Sequence, residues 1–289
     1  MPRNDAAHDA AHDGAQAAAI GRAAALLAEA DGLLVAAGAG MGVDSGLPDF
    51  RGAAGFWRAY PPLRRLGLAF HDMACPATFD DDPRLAWGFY GHRLALYRAT
   101  RPHAGFAILR TLAGRLPGGG FVFTSNVDGQ FQRAGFDPDA IVECHGSIHH
   151  LQCTRPCCDA IWPADGVLPE VDMDACRLRS ALPRCPRCGA LARPNILMFN
   201  DSAWLPGRTE EQYARLARWR AGLRRPAVVE LGAGVDIPSV RRMAGSLGAP
   251  LIRINPREAA VRNGVALEMG ALAALRALAA AQGIDTDQA

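Results

Sequence analysis

The stretch Gly38-Ala39-Gly40-Met41-Gly42-Val43-Asp44-Ser45-Gly46-Leu47-Pro48-Asp49-Phe50-Arg51-Gly52 follows directly on the apolar run Leu33-Leu34-Val35-Ala36-Ala37. A short continuous apolar run bounded by glycine reads as a strand buried on both faces. Glycines just after such a strand let a phosphate approach the backbone closely, and a helix end beyond them favours negative charge. Gly38-Ala39-Gly40 alone is a weak signal, since no strict GxGxxG follows; the longer string is the specific one.

Working outward, the sequence predicts a helix over Ala15 to Ala30, with Ile20, Ala24, Leu26 and Leu27 on its apolar face and Asp31-Gly32 at its end. Residues 1–14, with their repeated Ala-Ala-His-Asp, read as a disordered, solvated tail in preference to a metal site at His8 and His12. Downstream, Phe121–Thr124, Ile141–Glu143, Ala227–Leu231 and Leu251–Ile254 are further short apolar strands, and a helix over Ala266 to Gln282 closes the chain. Short apolar strands alternating with helices give an α/β fold with a parallel sheet covered on both faces. Residues 57–100 carry aromatic anchors at helical spacing, most clearly over Leu85–Tyr97, and are assigned to core. In residues 151–193 Cys, Pro and Arg replace the Ala/Leu pattern, which marks a small inserted module.

The chain has 289 residues, 49% of them hydrophobic and 21% charged, enough for one large core domain with an insert. With 31 basic against 29 acidic residues the net charge is +2, which gives no support for nucleic-acid binding driven by bulk charge. The arginines at 177, 179, 184, 187 and 193 read as solvated residues around the insert. No apolar run has the length of a membrane span, and Asp and His interrupt the N-terminus where a signal-peptide core would lie, so a cytoplasmic location is expected. Eight cysteines in such a chain favour metal binding over a disulfide framework.

Cys185-Pro186-Arg187-Cys188, followed by Gly189, is one half of a zinc knuckle: two cysteines this close on a tight turn both reach one tetrahedral ion. The other half is Cys153 with Cys157 or Cys158; the shorter spacing favours Cys157. Four thiolates make a closed, structural site, whereas a catalytic zinc keeps an open position. Cys75, Cys144 and Cys176 are assigned to packing or surface.

The string from Gly38 to Gly52 resembles the sirtuin signature GAGxSxxSGxPDFRG. Thr124-Ser125-Asn126-Val127-Asp128 resembles the family's TQNID, and His145-Gly146 its HG motif. Cys153 lies where the family has its first zinc ligand, Asn195 to Asn200 where it has a substrate-pairing segment ending in FGE, and Ile254-Asn255 matches a late Asn. The resemblance implies a Rossmann-like NAD-binding domain (15–56, 101–150 and 194–289), a helical module (57–100) and a zinc-binding module (151–193). It implies an NAD-dependent protein lysine deacylase acting on acylated-lysine protein or peptide, releasing nicotinamide and O-acyl-ADP-ribose, with NAD and zinc bound.

By the same resemblance His145 is the catalytic base near the ribose hydroxyls, Asn126 orients ribose or water, and Asp128 grips the nicotinamide carboxamide. Arg51 meets the pyrophosphate, Phe50 shields the sugar carbon, and Asp49 fixes the loop or touches nicotinamide. Gly38, Ala39, Gly40, Ser125, Gly232, Ala233, Gly234 and Asn255 complete the cofactor contacts. The sequence departs from the family at Gly42 (Ser), Ser125 (Gln), Gly232-Ala233-Gly234 (GTS) and Phe199-Asn200-Asp201 (FGE). Transfer of ADP-ribose to protein, or NAD hydrolysis, would use nearly the same residues. A non-catalytic NAD-binding module is the alternative of another class.

Overall fold

A computed structural model describes residues 4–49 and 52–285. Phe50 and Arg51, both expected to touch the cofactor, lie outside the described residues. Along the chain, β1 (Gly32–Ala37), β2 (Gly120–Thr124) and β3 (Ile141–Glu143) come first. β4 (Gly146–Cys153), β5 (Trp162–Pro163), β6 (Val171–Asp172), β7 (Arg177–Leu178) and β8 (Ala192–Ile196) follow, and β9 (Pro226–Leu231), β10 (Leu251–Ile254) and β11 (Gly264–Leu267) close the series. The main sheet has the order β11-β10-β9-β1-β2-β3, and all its pairings are parallel.

β1 sits in the middle, its Val35 level with Val122 of β2 and Val229 of β9. Successive side chains of a strand point to opposite faces, and β1 follows this. Leu33, Val35 and Ala37 enter one core with the helices Asn4–Ala28, Ala104–Gly114 and Ala271–Ala281. Leu34 and Ala36 enter the other core, with Leu216, Val240 and Ala244 of the helices Gly207–Ala221 and Ser239–Ser246. A run apolar at every position is therefore what this strand needs.

Two expectations change. The first helix starts at Asn4, inside the segment expected to be a disordered tail, and ends at Ala28; alanine, the strongest helix former, outweighs the interrupting Asp and His. The last helix is Ala271–Ala281, because Gly264–Leu267 is a sixth strand paired with β10. Its Gly264 has φ +143, and a Cβ there would lie 1.9 Å from the Leu251 carbonyl oxygen, so glycine alone permits the pairing.

The segments 57–100 and 151–193 share one hydrophobic core rather than forming separate ones. Phe56, Tyr60, Phe79, Trp87 and Phe89 pack there with Ile148, Leu151, Cys176, Leu178 and Ala192. Trp87 is fully buried, and its Nε1–H donates to the Ala192 carbonyl at 2.8 Å. β4, β5 and β8 form an antiparallel sheet against this core. Among the insert's arginines, Arg177 pairs with Asp82, Arg179 with Asp172 and Arg193 with Asp201, so these charges are neutralised locally. No helix among the described residues is long and apolar enough to cross a membrane.

Candidate active site

The candidate residues from the sheet lie just past the carboxyl ends of strands. β1 opens into Gly38-Ala39, β2 into Ser125-Asn126, β3 leads to His145, and β9 opens into Gly232-Ala233-Gly234. From neighbouring β1 and β9 the chain moves to opposite sides of the sheet, to β2 and to β10. At such a reversal the loops diverge and leave a crevice, the usual ligand position in doubly wound sheets.

The crevice is floored by bare backbone. Gly38 N–H donates to the Leu231 carbonyl at 2.9 Å and Gly40 N–H to the Gly232 carbonyl at 3.1 Å. A Cβ on Gly38 would lie 2.8 Å from Ala233 Cα, and one on Gly232, whose φ is +59, would lie 2.4 Å from Gly40 Cα. The two loops thus touch backbone to backbone, which side chains would prevent. Gly234 has open space beside it, and with Gly38 and Ala39 it lines a cavity of about 850 Å³. This volume and glycine cradle fit a phosphate-bearing ligand of NAD's size.

Asp49, Ser125, Asn126, Asp128 and His145 line the same cavity. Asn126 is fixed by its Nδ2, which donates to the Gly38 carbonyl at 3.0 Å. Asp128 is buried, and burial, aided by the nearby Glu143 charge, pushes its carboxyl up to about 6. Its Oδ1 accepts the Gln130 backbone N–H at 2.9 Å. Burial lowers the His145 pKa, opposed by a hydrogen bond to the Ser125 backbone, so the ring is neutral at pH 7. Gly40 packs against Gly232 rather than facing the cavity. Asn255 is 1% exposed: its Nδ2 donates to the Ala233 carbonyl, and its Oδ1 accepts from the Arg257 and Glu258 N–H groups. It shapes the loop that lines the cavity.

Sequence reading missed three features. Ser239 Oγ lies 3.1 Å from His145 Nε2, brought there by a helix remote in sequence. Arg93 lines the cavity at 7% exposure, its guanidinium over the rings of Phe89, Tyr90 and Tyr97, and its Nε donates to the Tyr97 hydroxyl at 3.0 Å. Tyr90 lines it too, and its buried hydroxyl has no hydrogen-bond partner among the described residues. A cation on the aromatic stripe Tyr90, Arg93, Tyr97, spaced to share one helix face, was the signal available. The departure at Asn200-Asp201 also has a physical reading. Asn200 has φ +54, a left-handed conformation that Asn tolerates better than most residues. Asp201 is held in a buried ion pair with Arg193 and accepts the Met198 N–H.

In the insert, the sulfurs of Cys153, Cys157, Cys185 and Cys188 all lie within 4.8 Å of one another. Cys153 and Cys188 are 3.7 Å apart, as are Cys157 and Cys185. A disulfide would need about 2.05 Å, whereas tetrahedral zinc with Zn–S bonds of about 2.3 Å sets its sulfurs roughly 3.8 Å apart. The donor set therefore fits zinc and leaves no open position. Gly189, at φ +72, turns the knuckle, and its N–H donates to the Cys185 carbonyl. Cys158 lies outside the four; Cys144 and Cys176 are buried and Cys75 partly so.

The model of the Sir2 family matches residues 38–217. The chain belongs to the Sir2 family. It is 32% identical over 244 residues to "NAD-dependent protein deacylase 2" of Pyrobaculum aerophilum, covering 82% of this chain and 84% of the relative. It is 32% identical over 278 residues to "NAD-dependent protein deacylase" of Aeropyrum pernix, covering 92% and 99%. Among solved structures, a Sir2 homologue in complex with ADP-ribose superposes with a TM-score of 0.67 at 25% identity, covering 91% of this chain and 97% of that one. A Sir2 homologue–NAD complex gives 0.66 at 25% identity, covering 90% and 93%. The Sir2 match spans the glycine loop, the His145 segment and all four clustered cysteines.

Proposed function

We propose that this Sir2-family chain is an NAD-dependent protein lysine deacylase, working in the cytoplasm on acylated-lysine proteins. The observation that carries the reading is one cavity wall: His145, Asn126 and Asp128 face the same space as the glycine loops at 38 and 232–234. NAD, when bound, supplies an ADP-ribosyl group whose bond to nicotinamide is broken as the acyl oxygen attacks. The chain's own residues do the rest. His145 is neutral at working pH and takes a proton from a ribose hydroxyl, with Ser239 orienting its ring. Asp128, ionised above pH about 6, accepts the N–H groups of a carboxamide. Asn126 is held at Gly38 and orients ribose or water. Phe50 and Arg51 keep their proposed parts, shielding the sugar carbon and meeting the pyrophosphate. The four-cysteine zinc site is structural.

The test follows nicotinamide and peptide mass together on a panel of acyl-lysine peptides, with His145→Ala alongside. Because the cavity wall carries the Arg93 guanidinium, acyl groups ending in a carboxylate belong on the panel beside neutral ones; charge complementarity favours them. Peptide-dependent nicotinamide release with matching deacylation, lost in the variant, is expected. Nicotinamide release without deacylation would move the chain to transferase or NADase. Binding without turnover on any peptide would leave a non-catalytic module.

A further inference from the structure

A second cavity, of about 500 Å³, lies behind the Asp128 loop. Among the described residues it shares only Tyr97 and Asp128 with the first. Its walls come from six separate places: the end of the helix Pro83–Ala99, the Asp128-Gly129 turn, the helix Gln130–Arg133, the short turn Pro138–Ala140, β4, and the helix Gly207–Ala221. Its charged lining is Arg98, Arg133, Arg208 and Arg215 against Asp128 and Asp139. Asp139 faces Arg215 at 3.5 Å, Asp128 Oδ1 takes the Gln130 N–H, and Arg98 donates through Nη1 and Nη2 to the Val167 and Ala164 carbonyls. Arg208 forms an ion pair with Glu143 through Nη2, yet its Nη1 is buried with no hydrogen-bond partner among the described residues. His150 Nδ1, on the same wall, is likewise buried and unpartnered.

We propose that this second cavity binds a small oxyanion ligand, one bearing phosphate or carboxylate groups, apart from the dinucleotide crevice. Arg133 reaches the cavity with a guanidinium that has no hydrogen-bond or ion-pair partner among the described residues, and a bound oxyanion would take its N–H groups. The guanidinium fork matches phosphate and carboxylate oxygens alike. The volume suits a small organic molecule. His149 links this site to the first: its Nε2–H donates to the Asp128 backbone carbonyl at 2.9 Å. A ligand against His149 therefore rests on the back of a residue that lines the dinucleotide crevice. The inference does not depend on the deacylase reading, since it concerns different side chains and a binding equilibrium.

The experiment is thermal denaturation of the full chain with inorganic phosphate, pyrophosphate or citrate, each with and without saturating ADP-ribose. An anion that binds the native state alone raises Tm. A rise of a few degrees that persists with ADP-ribose present is expected, and the larger response, to pyrophosphate or to citrate, identifies the phosphate or the carboxylate source. Arg133→Gln should diminish the rise, and Arg133→Gln with Arg215→Gln should remove it, while the shift caused by ADP-ribose alone stays. Arg133 is exposed, so its single variant tests the site without endangering the fold. A rise abolished by ADP-ribose, one unchanged in the double variant, or none with any of the three anions would overturn the proposal.

Discussion

Asp128 is a buried charge of the site, and its cost can be measured. Its carboxyl is raised from 3.8 to about 6 by burial. A group raised on folding contributes stability below its unfolded pKa and loses it as pH rises through the folded value. The loss spans pH about 4 to about 6 and amounts to roughly 3 kcal/mol at one pKa unit per 1.36 kcal/mol. Asp128→Asn keeps the Gln130 hydrogen bond and removes the charge. The variant should be more stable than the parent at pH 7.5, with the gap closing towards pH 4, while nicotinamide release is largely lost; equal pH dependence of the two melts would refute this. His145 and His150 act in the opposite sense: burial lowers both, His150 to about 4, so their stability is present above 6.5 and falls as pH drops towards the folded values. At this scale His145, Asn126 and Asp128 were legible because contiguous motifs carry them. Ser239 was not, since 94 residues separate it from His145 and only the fold joins them. Arg93 was hidden among aromatic neighbours that look like ordinary core.

Loops and knuckles are elements where one atom decides the outcome. Gly232 is left-handed and meets Gly40, whereas Gly234 has a clear surround. Gly232→Ala should cost about 2 kcal/mol or more and weaken NAD binding, while Gly234→Ala should melt close to the parent; similar melts for the two would count against the backbone-contact account. In the knuckle, Cys157 belongs to the sulfur cluster and Cys158 does not. Cys158→Ser should therefore retain one zinc per chain by metal analysis and Cys157→Ser should lose it, the reverse result moving the fourth ligand to Cys158. Spacing alone favoured Cys157 over Cys158 because three intervening residues lie closer to the CxxC pattern than four. The strand Gly264–Leu267 was harder to read: its short apolar run adjoins the Ala/Leu-rich helix, and periodicity over so few residues does not separate the two.

At the scale of the whole molecule, β4 joins the two parts. One end follows His145 at the sheet's crevice, and the other is Cys153 in the metal cluster. Between them Ile148 and Leu151 enter the core shared by the helical and zinc segments. Cys153 also pairs with Ala192 of β8, while at the other end Gly146 pairs with Ile196 and Leu197 N–H donates to the His145 carbonyl. A zinc ion that holds four sulfurs therefore holds the strand that begins directly after the proposed base, although it touches no reactant. Removing zinc with a chelator should abolish NAD turnover and weaken the near-ultraviolet circular dichroism, because Trp57, Trp87 and Trp162 belong to that shared core. The far-ultraviolet signal should change much less, because the six-stranded sheet and its two flanking cores contain none of the four cysteines. Restoring zinc should recover both properties together. Turnover that survives complete removal of the metal would separate the zinc module from the site, and β4 would then be a strand whose two ends act independently.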